Sequence, residues 1–90
     1  MIYKSAIGEL DLRKVTRLYP AVIVDMQGEV AEMSLEWADL YGEKVKLVKY
    51  VLVFDFTPLN EDVKDRKVLE YETREELIET MTEVAQFFQD

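Results

Sequence analysis

Two aspartates are the first residues to weigh for chemistry. Asp25 ends Val22-Ile23-Val24-Asp25, and Asp55 ends Val51-Leu52-Val53-Phe54-Asp55. Acids at strand ends can hold a hard cation through their oxygens, or share a proton as a coupled acid and base. They can also simply mark where each strand leaves the core, which is the simpler expectation for antiparallel strands. Asp62-Val63-Lys64 and Asp65-Arg66-Lys67 match the acid-x-Lys fragment of metal-dependent nucleases. Three residues in a charged segment are a weak signal, and the acid that such a site needs on an upstream strand is missing. Glu61, Asp62 and Asp65 lack the acid spacing of a calcium loop.

Other chemistries are excluded by residue type. The chain has no His and no Cys. It therefore has no imidazole base, no thiolate nucleophile and no Cys-based metal site. Its serines and threonines have no G-x-S-x-G setting and no His to activate them. Lys49 alone among the lysines lies inside an apolar strand, where a salt-paired edge position is expected. No glycine-rich phosphate cradle occurs. The reading is non-catalytic, with no cofactor; a carboxylate-only metal hydrolase is the remote alternative.

Ninety residues with a formal charge of −8 suit one α+β domain spanning 1–90. An acidic chain is a poor nucleic-acid binder, because phosphate contacts need clustered Lys and Arg. The charge is uneven: residues 68–90 carry seven carboxylates against Arg74, whereas residues 1–20 carry four cations against Glu9 and Asp11. The longest apolar run, Tyr50–Phe54, falls far short of the roughly 20 residues of a membrane-spanning helix. The opening residues Met1–Glu9 lack the basic and apolar blocks of a secretory signal, so a cytoplasmic location is expected.

The elements follow from periodicity. Leu77, Ile78, Met81, Val84, Ala85 and Phe88 form one stripe of a helix over Thr73–Phe88. Thr73 and Glu76 supply a capping box at its start. Lys67–Glu72 reads as the strand before it. Ala31, Met33, Leu35 and Trp37 alternate with polar residues, so Val30–Tyr41 reads as a strand, a helix being the rival. Gln27-Gly28 is a two-residue hairpin turn after the run Ala21–Val24. Val45–Phe56 is a long strand, Thr57–Asp65 a loop and Tyr3–Ile7 a first strand. Leu12, Val15, Leu18 and Tyr19 fit either a short helix over 11–19 or a bend that extends the next strand. The sum is an antiparallel meander of four or five strands with the C-terminal helix on one face.

Ala21–Val24 and Val51–Phe54 do not alternate, so both faces of these strands need cover. One helix shields one face. The other requires Leu12, Val15 and Leu18, or a second copy of the chain, or another partner. The favoured function is a protein-interaction module that self-associates as a homodimer through a sheet face or edge. Ile23, Trp37, Tyr41, Val51 and Val53 are the candidate interface. A small-molecule or peptide-binding domain using the sheet face and the aromatic cluster is the alternative.

Overall fold

In the computed structural model, which describes residues 1–58, 60 and 65–88, the C-terminal helix is built as its sequence requires. Helix α2, Arg74–Gln86, starts at Thr73, whose Oγ1 accepts the Glu76 N–H at 3.2 Å and donates to the Glu76 carboxylate at 3.0 Å. Glu75 and Glu76 set negative charge at the positive end of the helix dipole. Leu77, Thr80 and Val84 are its buried residues. Thr73→Ala is expected to cost about 1 kcal/mol of stability, the usual size of a lost N-cap, read as a lower denaturation midpoint with unchanged slope.

Six strands precede α2. Strands β1 (Ile2–Ser5) and β2 (Gly8–Asp11) form a separate two-stranded hairpin. Strands β3 (Arg17–Met26), β4 (Glu29–Met33), β5 (Lys46–Asp55) and β6 (Arg66–Tyr71) form an antiparallel sheet in the order β4-β3-β5-β6. The turn between β3 and β4 is Gln27-Gly28, with positive φ of 55° and 91°, and the Asp25 carboxylate accepts the Gly28 N–H at 2.8 Å. Residues 11–19 take the bend: a 3-10 turn, Leu12–Lys14, capped by Asp11, and then the extended start of β3. Residues 59 and 61–64 of the expected loop lie outside the described residues, and with them Asp62-Val63-Lys64 and Glu61.

Two expectations are corrected. Val30–Tyr41 is not one strand. Strand β4 stops at Met33, and helix α1, Leu35–Tyr41, follows. Ser34 decides this: its Oγ accepts the Trp37 N–H at 3.1 Å, and Glu36 adds acid to the first turn. The strand order also departs from a meander, because α1 carries the chain back and β5 pairs with β3 instead of β4. A register shift at Ile23/Val24 leaves Val48 as an extra residue in β5.

The main core lies between the sheet and α2. Leu10, Leu12, Leu52, Phe54, Leu69, Leu77 and Val84 are buried together, with Tyr3, Val15, Leu18, Leu35 and Tyr50 against them. Tyr3 stacks on Phe54 at 6.4 Å and meets Phe87 edge-on at 5.9 Å. The first hairpin, the 3-10 turn, α1 and α2 all contribute to this one layer. Leu12, Val15 and Leu18 thus pack on the same side as the C-terminal helix and leave the opposite face of the sheet to other residues.

Candidate interaction face

Cross-strand pairing sets the opposite face in rows, since directly opposed residues point the same way. Arg17, Asp55 and Arg66 form the first row, and Tyr19, Val53 and Val68 the second. Ala21, Val51 and Glu70 form the third, and Glu32, Ile23 and Lys49 the fourth. The face has Arg17, Asp55 and Arg66 at one end, an apolar middle, and Glu32, Lys49 and Glu70 at the other.

The apolar centre is nevertheless out of water: Val51 and Val53 are 1% exposed and Ala21 is 2% exposed. Their apolar neighbours are Tyr19 and Ile23, both from β3 itself. Side chains supply the rest of the cover. Arg66 of β6 reaches across β5, donating to the Tyr19 hydroxyl on β3 and to both Glu32 carboxylate oxygens on β4 at 3.2 Å. Its guanidinium lies 5.8 Å from the centre of the Tyr19 ring, and that of Arg17 lies 5.2 Å from it. Lys49 pairs with Glu70 across the β5–β6 ladder. Long polar side chains shield apolar surface with their stems while their charged ends stay wet. The sequence reading offered a helix, a second copy or a partner as cover, and this strap is a fourth solution. Lys49 is salt-paired as expected, although its strand is central and not at an edge.

Ile23, Val51 and Val53 therefore share the face. Trp37 and Tyr41 do not: their rings meet at a tilt, 5.5 Å between centres, on α1, whose Leu35 joins the core beneath α2 and whose Asp39 pairs with Arg74 at 2.6 Å. The aromatic cluster and the sheet face are separate surfaces. The signal for Tyr19 and Arg17 was present in the alternation Arg17-x-Tyr19-x-Ala21-x-Ile23. Nothing in the sequence pointed to Arg66 and Glu32, which meet only through the register of three ladders.

Asp25 and Asp55 are parted by the same register. Asp55 pairs with Arg17 and Asp25 with Lys46, so the two acids stand at opposite ends of β3, roughly 26 Å apart at about 3.3 Å per residue. Asp25 holds its turn, and Asp55 accepts the Thr57 N–H at 2.9 Å. Among the described residues no three acids converge in a way that could hold a metal ion. No described helix is long and apolar enough to cross a membrane.

Charge and burial set a pH window. Hydrogen bonds from Arg13, Arg74 and Thr57 hold Asp11, Asp39 and Asp55 below the usual carboxylate range. Burial first, and then the nearby charges of Glu83 and Glu32, push the Tyr3 and Tyr19 hydroxyls up. A lowered carboxyl stabilises the fold above its unfolded pKa, and that contribution is lost as pH falls through about 4 and below. A raised phenol stabilises it below its unfolded pKa, and that contribution is lost as pH climbs past about 10. With no His in the chain, the urea midpoint is expected to be nearly level from about pH 6 to 8 and to fall on both flanks. A midpoint that moves within the level stretch contradicts this assignment.

An α+β sheet protein with one face closed by its own polar side chains is the class that fold and face define. Comparison with protein families, curated proteins and solved structures finds no match.

Proposed function

We propose that this protein is a non-catalytic interaction module that pairs with a second copy of itself through the sheet face opposite α2. The observation that supports this reading is the apolar middle of that face, where Tyr19, Ile23 and Val68 border the buried Ala21, Val51 and Val53. Charged groups of both signs rim it, Arg17, Asp55 and Arg66 at one end and Glu32, Lys49 and Glu70 at the other. Two copies related by a two-fold axis, face to face, set the apolar middle of one on that of the other. A closed dimer uses one patch twice in this way. Tyr19, Arg17 and Arg66, which border that middle, are of the residue types enriched at strong interface positions. Val68 is 36% exposed in the single chain and would be covered.

Light scattering at tens of micromolar is expected to give twice the chain mass. Val68→Asp should return the mass to that of one chain with an unchanged far-ultraviolet spectrum, since Val68 is on the outermost strand and outside the main core. A single-chain mass for the unmodified protein at every concentration would sink this reading.

A further inference from the structure

A second surface lies at the start of β3. Strand β4 ends at Met33, opposite Val22, and Ser34 then turns the chain into α1. Arg17–Ala21 therefore has β5 on one side and no described strand on the other. The two-residue turn makes Met26–Glu29 the hydrogen-bonded pair that closes the hairpin, and such pairs recur at every second residue. Val24 and Val22 thus turn their main-chain groups to β4, and Pro20 and Leu18 turn theirs the same way, beyond its end. The phase of β5 agrees. The Phe56 N–H donates to the Asp65 carbonyl at 2.7 Å, on the side continuous with β6, which leaves Asp55, Val53 and Val51 to bond Arg17, Tyr19 and Ala21. Leu18 offers an unpaired N–H and C=O, and Pro20 offers a C=O. No loop or cap main-chain bond among the described residues ends on them.

The flanks of this edge differ in chemistry. On the helix side, between β3 and α2, is an apolar cavity of about 280 Å³ lined by Leu18, Pro20, Leu52, Met81, Ala85 and Phe88, with Tyr19 at its border. On the other side stands Arg17, exposed beside its cross-strand neighbour Asp55 and in none of the described ion pairs, whereas Arg66 is held by Glu32. A strand laid on this edge would send alternate side chains to opposite sides. Those beside Leu18 and Pro20 would enter the apolar cavity, and those between them would meet the cation.

We infer that Arg17–Ala21 is a docking edge for an extended peptide segment of another protein in which apolar and acidic residues alternate. The segment runs antiparallel to β3 and prolongs the line of β4. Main-chain bonds to Leu18 and Pro20 supply attachment, and the cavity and Arg17 supply selection, which is how strand addition divides affinity from specificity. Pro20 withholds one donor, so only a short segment can be zipped on, and the same proline keeps the bare edge from unlimited pairing with other edges.

The probe is a blocked, dye-labelled hexapeptide, Thr-Leu-Glu-Leu-Glu-Thr, whose leucines fall opposite Pro20 and Leu18. Its control is the same composition without alternation, Thr-Leu-Leu-Glu-Glu-Thr. Fluorescence polarisation should show the patterned peptide binding at least about tenfold tighter than the control. Methylating the peptide nitrogen that faces the Leu18 carbonyl should abolish that advantage, and hydrogen exchange at the Leu18 N–H should slow when peptide is bound. Ala85→Phe, which fills the cavity from an exposed helix position, and Arg17→Glu should each weaken binding while the fold is retained. Equal binding of both peptides, no binding of either, or an unchanged Leu18 N–H each overturns the proposal. So does protection of that N–H that rises with protein concentration without peptide, which would assign the edge to a second copy. Val68→Asp leaves this site intact, so loss of the dimer and loss of peptide binding are separately visible.

Discussion

Phe54→Ala is expected to lower stability by about 3–5 kcal/mol, the usual cost of truncating a buried aromatic ring. Phe54 is fully buried on β5, a strand with a partner on each side, and its ring stacks on Tyr3 of the first hairpin. Truncation removes ring area from the core and the platform on which β1 and β2 rest. Domains of this size hold only about 5–15 kcal/mol in all. Each kcal/mol lost lowers the melting temperature by about 4–8 °C in a chain of this length. Circular dichroism melting reads the result. A drop of under about 5 °C, little more than the effect of 1 kcal/mol, would show that the ring is not what joins hairpin to sheet.

Arg66→Glu tests the strap on the other face. The substitution removes the bonds to Tyr19 and Glu32 and sets a carboxylate beside Glu32 and Asp55. Hydrogen bonds to charged groups contribute about 1.5–3 kcal/mol when sheltered and less when wet, so a loss of about 2 kcal/mol is expected for this half-sheltered group. The double variant Arg66→Glu with Glu32→Arg should recover most of it, because the ion pair is restored with its direction reversed. Urea denaturation of the two single variants and the double variant gives the coupling directly. Strict additivity would mean that Arg66 covers Val53 by bulk alone and that its bond to Glu32 contributes nothing.

The fold was legible where one local signal acted without a rival. Thr73-x-x-Glu76 before an apolar stripe left α2 no other reading, and Gln27-Gly28 closed its hairpin as expected. Leu35–Tyr41 misled because its apolar residues continue the two-residue period of Ala31 and Met33. Ser34 carried the contrary signal, since a cap of one side-chain oxygen can outweigh a pattern of alternation. The covered face was harder to read for a different reason. Uninterrupted apolar runs at Ala21–Val24 and Val51–Phe54 rightly demanded shielding on both sides. What does the shielding depends on Arg66, Tyr19 and Glu32, which are 47 and 34 residues apart in pairs and meet only when three ladders are in register. The bare edge at Leu18 was equally hidden, because it follows from where a neighbouring strand stops. Asp25 and Asp55 looked alike in sequence and were parted by the antiparallel direction of their strands.

The exchange of a β4–β5 pairing for a β3–β5 pairing also bears on how the chain assembles. The turn at Gln27-Gly28 closes β3 onto β4 within a few residues, and β5, β6 and α2 are likewise consecutive. These two units pair main chain to main chain through one seam, where Arg17 must find Asp55 across more than a third of the chain. Contacts so far apart are paid for in chain entropy before they return any stabilisation. Closure of that seam is thus expected to be the slow event in the molecule's formation.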